Sequence, residues 1–326
     1  MLRHFWANVV AVKRIDIPAA DFDLAMTLDS GQVFHWEKIG DGFVGTVGDC
    51  AFYLEQRGNL LRISPPGPLD RLKRSSLRKI VARYFALDHP LGEICASFPD
   101  DPVMNAAREF CRGLRIIRQP KWECLGTFIC SSMKQVGHIR QISHKLRERF
   151  GQQRRLENRS IFTFPTAERL TASSEKELRK CALGYRAINL LKTARLVASG
   201  EMDLEKMSIL PDVDLRARLC ELPGVGAKVA NCVMLFAYER LRAFPIDVWI
   251  ERVLREKYFD RVRKLEPARL REFTENYFGQ HGGYAQQYLF HHARTAGGRR
   301  AVGAEKVGHD SACPSRTKVV TACHVR

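Results

Sequence analysis

Between Phe22 and Ser64 the apolar positions fall in short runs, GQVFHW, FVGTV, AFYLE and LLRIS. These runs are rich in aromatic and β-branched residues and are separated by Gly, Asp and Asn, the pattern of strands joined by tight turns. The segment SPPGP at 64–68 breaks it. Beyond the break the spacing lengthens, and Leu69, Leu72, Leu77, Ile80, Val81 and Tyr84 recur near one helical face. From Lys121 to His292 helical spacing predicts segments at 121–132, 135–149, 166–172, 174–182, 186–199, 213–221, 227–239, 248–258, 267–278 and 283–292. In SSEKE, a serine followed three residues later by a glutamate gives one of them a capping-box start. Strands first and many helices afterwards, without βαβ alternation, predict an α+β chain. A small antiparallel β-sheet domain with flanking helices is expected over 1–118, and a mainly α-helical domain over 119–292. Residues 293–326 contain Gly297, Gly298, Gly303 and Gly308, few large apolar side chains and no period. They predict a basic, disordered tail whose removal after Ala293 leaves both the fold and the activity intact.

Charge adds a partner to this picture. The 326 residues carry 53 Lys and Arg against 36 Asp and Glu, a formal net charge of +17. From Ala293 onward seven basic and two acidic residues contribute +5, so +12 belongs to the rest of the chain. A polyanion such as nucleic acid is the expected partner. No apolar run approaches 18 residues, so neither a membrane span nor a signal peptide is expected. Ten cysteines without regular spacing suggest a reducing, intracellular setting. No four-cysteine cluster motif follows Asp247, and His309, Cys313, Cys323 and His324 form neither a CxxC nor an HxxxH pair, so no metal or cofactor is expected.

The chemistry concentrates in LPGVGAKVANC, residues 222–232. Pro223, Gly224, Val225 and Gly226 form a hairpin between helix 213–221 and a helix that starts near Ala227. Its glycines permit close backbone approach, and the new helix offers free N–H groups that suit a phosphate oxygen. An ordinary corner between two helices has the same pattern. Lys228 lies in the first helical turn, where the positive end of the helix dipole disfavours a cation by up to about 1 kcal/mol. It shares a face with Cys232 at i, i+4, while Val229, Val233 and Phe236 line a core face. The amine is therefore either a solvated surface group or a nucleophile that must shed its proton. Asp247, in FPIDVWIERV, precedes an amphipathic helix and reads as an N-cap. Capping also holds a carboxylate rigidly enough for catalysis.

LPGVGAKVANC followed by FPIDVW resembles the helix–hairpin–helix DNA glycosylases. More narrowly, SGQVFHW (30–36), IIRQPKWECLGTFICSS (116–132), LGYRA (183–187) and YAQQYLF (284–290) resemble the 8-oxoguanine DNA glycosylase/AP lyases, with matches in order from about Asp23 to His292. The resemblance implies a bifunctional, cofactor-free and monomeric repair enzyme. It would excise 8-oxoguanine from double-stranded DNA through a lysine Schiff base and nick the strand by β-elimination. It implies Lys228 as the Schiff-base lysine and Asp247 as the catalytic aspartate. It makes Gly31 the carbonyl that accepts the N7 proton, which guanine lacks. Cys232 and Phe290 become the faces sandwiching the flipped base, and Gln286 the reader of its Watson–Crick edge. Tyr185 becomes a wedge in the vacated stack, Arg186 a contact to the opposite base, and Gly224, Val225 and Gly226 the grip on the backbone. Where eukaryotic members have an asparagine run and a further arginine, this chain has Met133, Lys134, Gln135 and His138. That substitution implies weaker discrimination of the opposite base. A tight Asp247–Lys228 ion pair would keep the amine protonated, so the two are expected near each other but unpaired. A glycosylase of other specificity, or a non-catalytic DNA-binding module needing neither Lys228 nor Asp247, are the competing readings.

Overall fold

The structure is a computed structural model that describes residues 14–64, 74–132, 134–156, 158–259 and 265–304. Strands β1 (Ile15–Pro18), β2 (Glu37–Ile39), β3 (Gly42–Val47), β4 (Cys50–Arg57) and β5 (Leu60–Ser64) form one antiparallel sheet in the order β1-β5-β4-β3-β2. Alternation puts Ile15, Ile17, Phe52, Leu54, Leu61 and Ile63 in one core. Helix α1 (Leu24–Asp29) supplies Leu24 and Leu28 to that core, and α2 (Arg74–Tyr84) supplies Leu77 and Val81.

Helices α3 (Leu91–Ala96) and α4 (Pro102–Phe110) lead into the helical part, where α5 (Lys121–Ser131) and α6 (Val136–Phe150) follow. A hairpin of β6 (Gln153–Leu156) and β7 (Arg159–Phe162) precedes α7 (Ala167–Thr171), α8 (Glu175–Arg179) and α9 (Arg186–Ala198). After a 3-10 turn at Lys206–Ile209 come α10 (Asp212–Cys220), α11 (Ala227–Ala237), α12 (Val248–Lys257), α13 (Pro267–Tyr277) and α14 (Gly282–Ala304). Helices α5 and α11 are the central pair. Every residue from Glu123 to Ser131 and from Val229 to Phe236 is buried, and Phe128 stacks on Phe236 with centroids 5.5 Å apart. Helices apolar on all sides belong in a core, which is where these two lie.

The sheet and the helices are joined by buried polar contacts. Arg147 of α6 pairs with Glu123 of α5 and donates to Thr46 Oγ1 of β3 at 2.9 Å. His35 meets the Thr46 carbonyl at 2.9 Å, and burial holds its pKa well below the usual imidazole value.

The antiparallel sheet followed by a helical domain is the α+β order expected from the sequence. Several elements differ in detail. GQVFHW is not a strand. Gly31 turns the chain at φ +85, and the buried Gln32 side chain donates to Ser30 Oγ (2.8 Å) and the Arg115 carbonyl (2.9 Å) while accepting from the Ile117 N–H (2.8 Å). Those bonds replace a strand ladder. β1, β2, α1, α3, α4 and the β6–β7 hairpin are too short, or too weakly patterned, to have been predicted. Helix α14 continues to Ala304, through the first residues assigned to the tail; residues 305–326 lie outside the described residues.

Candidate active site

The corner between α10 and α11 is built around two glycines and a proline. Gly224 has φ +82, and a Cβ there would lie 2.9 Å from Asn189 Cβ on α9, so only glycine fits. Thr193 of α9 donates to the Pro223 carbonyl at 3.1 Å and fixes the hairpin on that helix. Gly226 is exposed at the N-cap of α11, which has no side-chain cap, so its first N–H groups stay available. Val225 points the other way: it is buried, and its N–H bonds the Leu222 carbonyl at 3.0 Å. Its expected place in the backbone grip is therefore structural support rather than a free donor.

Lys228 is the second residue of α11, half-buried. Its Nζ lies 3.5 Å from Ser131 Oγ and 5.2 Å from the Phe128 ring centroid. Cys232 is one turn further along, and burial pushes its thiol up to about 11 against the opposing charge of Lys228. Asp247 caps α12, accepting from the Ile250 N–H at 2.9 Å. Burial is the largest influence on its carboxyl and raises the pKa, opposed by the Ile250 N–H and by the Lys228 charge. The two groups thus feel each other, yet among the described residues no ion pair joins them.

A second cluster joins the two ends of the described chain. A Cβ on Gly31 would lie 2.9 Å from Phe290 Cε1, so this loop is packed against the α14 ring. Gln287 donates to the Ser30 carbonyl at 2.8 Å and ties the helix to the loop. Gln286 is 4% exposed, and its Oε1 has no hydrogen-bond partner. A buried, unsatisfied amide oxygen is costly unless something else pairs with it. Tyr185, at the start of α9, is 54% exposed. Arg186 is not: it is 5% exposed, lies 4.3 Å from the Tyr185 ring and donates through Nε to the Ser132 carbonyl at 2.8 Å. Its guanidinium is committed to the end of α5. His138 is exposed on the first turn of α6, and Met133 lies outside the described residues. Among the described residues, no cluster of three or more His, Cys, Asp or Glu could hold a metal, and no helix is long and apolar enough to cross a membrane.

Residues 14–125 match the 8-oxoguanine DNA glycosylase N-terminal domain, and residues 127–277 match the HhH-GPD superfamily of base excision DNA repair proteins. The solved structure of MBOgg1 in complex with a low affinity DNA ligand is 32% identical, with TM-score 0.81, covering 87% of this chain and 96% of that one. This chain belongs to the 8-oxoguanine DNA glycosylase family. The Clostridium acetobutylicum 8-oxoguanine glycosylase/lyase, solved with double-stranded DNA containing cytosine opposite 8-oxoG, is 28% identical with TM-score 0.79, covering 85% and 93% of the two chains. The Arabidopsis thaliana N-glycosylase/DNA lyase OGG1 is 29% identical over 281 residues, covering 83% of this chain and 77% of that protein.

Two features of this glycosylase were missed by the sequence reading. Ser131 and Phe128 lie beside the Lys228 amine, although only their stretch, FICSS, had drawn notice. Val248 and Trp249 are 74% and 39% exposed immediately after Asp247. The first turn of α12 thus presents two large apolar side chains beside the half-buried Asp247 carboxyl. The signal in the sequence is the apolar pair directly after Asp247.

Proposed function

We propose that this glycosylase excises 8-oxoguanine from double-stranded DNA through a Schiff base on Lys228, then cleaves the strand by β-elimination, as a base excision repair enzyme. The observation that carries the reading is the Lys228 amine seated on Ser131 and Phe128, within electrostatic reach of the partly buried Asp247 carboxylate and with no ion pair joining the two. A non-catalytic DNA-binding module has no use for that arrangement.

The reaction requires the base to leave the duplex, at a cost of a few kcal/mol. The Gly224–Gly226 corner and the uncapped start of α11 offer N–H groups to the backbone phosphate beside the lesion. The exposed Tyr185 ring fills the vacated stack. The flipped base enters between Cys232 and Phe290, where the unpaired Gln286 amide oxygen accepts from its Watson–Crick edge and the Gly31 carbonyl accepts the N7 proton. Guanine presents a lone pair at N7 and meets repulsion there. Lys228, once deprotonated, forms the N–C1′ bond as the C1′–N9 bond breaks, and the departing base takes at N9 the proton that the amine gave up. Asp247, whose burial raises its affinity for protons, relays the lysine proton to the leaving base and, ionised again, faces the positive charge that develops on the sugar. Ring opening gives the Schiff base, and loss of a C2′ proton expels the 3′ phosphate.

Borohydride trapping tests this directly. Lys228→Gln should abolish the covalent adduct with an 8-oxoguanine duplex while duplex binding persists. Undiminished trapping in the variant refutes Lys228 as nucleophile.

A further inference from the structure

A lysine at the start of α11 stands against that helix's own dipole, yet its amine reaches the opposite end of another helix. Ser131 is the last residue of α5, an eleven-residue helix with no basic side chain in its final turn. The C-terminal end of a helix carries partial negative charge and attracts cations. Two cations from elsewhere in the fold converge on it: Arg186, on the Ser132 carbonyl at 2.8 Å, and Lys228, on Ser131 Oγ at 3.5 Å. The Ser131 hydroxyl proton is committed to the Phe128 carbonyl at 2.8 Å, which leaves the oxygen lone pairs for the amine. Beneath the amine lies the Phe128 ring, 5.2 Å away and within the range of a cation–π contact. That ring is fixed by stacking on Phe236 and by an edge contact with Phe34 at 6.2 Å.

We infer that the end of α5, through Ser131 and Phe128, is a seat that positions the Lys228 amine and keeps it off Asp247 until a sugar arrives. A flexible four-carbon stem within electrostatic reach of a partly buried carboxylate is otherwise drawn to it, because a full negative charge is the stronger partner for an ammonium. The seat is polarised but uncharged. It directs the amine without neutralising it and releases it when C1′ presents a better partner. Ser131 and Phe128 act through Lys228 and are positioning residues. The inference rests on Lys228 being the nucleophile.

The test uses the full chain and a duplex with a preformed abasic site, so that base recognition plays no part. Ser131→Ala should slow borohydride-trapped adduct formation about tenfold, equivalent to about 1.4 kcal/mol. Duplex affinity and melting midpoint should stay near those of the parent. Ser131→Thr, which keeps the hydroxyl, should restore trapping to within about twofold, a few tenths of a kcal/mol. Phe128→Leu should slow trapping similarly; if it fails to fold, the Ser131 pair decides alone. Trapping at the parent rate in Ser131→Ala, a loss that tracks duplex affinity, or a threonine variant no better than alanine each overturn the seat. If Lys228→Gln stops trapping while Ser131→Ala traps normally, only the seat fails. If Lys228→Gln still traps, the nucleophile assignment fails and the seat with it.

Discussion

Gly31→Ala separates base recognition from strand chemistry. The added methyl meets two obstacles. At φ +85 an L-residue is strained by about 1–2 kcal/mol. Its Cβ would also lie 2.9 Å from Phe290 Cε1, where carbon atoms prefer about 3.5–4.0 Å. The ring must therefore give by roughly half an ångström or more. It has little freedom behind it, because the Arg294 guanidinium lies 5.9 Å from its centroid and the neighbouring Gln287 is tied to Ser30. The displacement narrows the space a base must enter. Strain of this size in a chain this long lowers the melting midpoint by about 1–3 °C. Misplacement by a fraction of an ångström at a reacting site should slow excision about ten- to a hundredfold. Single-turnover excision of 8-oxoguanine, run beside cleavage of the same duplex carrying a preformed abasic site, reads the difference. Excision should fall steeply and abasic cleavage by no more than about twofold, since no base has to fit. Equal losses in both assays, or no loss in either, would refute a base pocket between Gly31 and Phe290.

Asp247→Asn should slow excision strongly with a stability change within about 1 kcal/mol, because asparagine also caps α12 and removes a desolvated charge. The raised carboxyl pKa gives a sign: excision by the parent should fall on acidification while the pH is still above the ordinary carboxylate range. The burial penalty on stability is present above that raised pKa and is relieved as pH falls through it; in Asp247→Asn both effects should vanish. Excision opposite C, T, G and A should show a shallower preference for C than in a relative with both arginines, because His138 is exposed and shorter and Arg186 is already bonded to Ser132. An equally steep preference counts against the argument. Ending the chain after Ala304 should leave excision unchanged. Ending it after Ala293 should slow excision, because it deletes Arg294, which bonds the Asp29 carbonyl and faces Phe290. Equal rates for the two truncations would contradict that role.

The sheet-then-helices order was legible because long amphipathic periods and turn residues report local structure. The hairpin was legible too, since Gly224 and Gly226 have few other uses at such a corner. Where the reading failed, tertiary contacts had overridden local pattern. GQVFHW alternates like a strand, but the Gln32 side chain replaces the ladder. Val225 sits between two exposed glycines yet packs inward. The pairing of Arg186 with the end of α5, and of Ser131 with Lys228, joins residues 54 and 97 positions apart and leaves no periodic trace. The extension of α14 through a glycine-rich stretch is the case where composition misled most directly.

The clasp between Ser30 and Gln287 spans 257 residues, and Gly31 meets Phe290 over a similar separation. A ribosome adding about 5–20 residues per second leaves the loop waiting roughly 13–50 s for its partner helix. The hairpin, Lys228 and Asp247 are synthesised before that closure. Such long-range contacts form late because their loop entropy must be met first. The hairpin proposed to grip DNA and the proposed nucleophile are therefore encoded ahead of the wall proposed to choose the base. The last helix made, α14, brings Phe290 to Gly31 and also sets Tyr284, Ala285, Tyr288 and Leu289 into the core that holds α11, so one late segment completes both the proposed base pocket and the support of the hairpin.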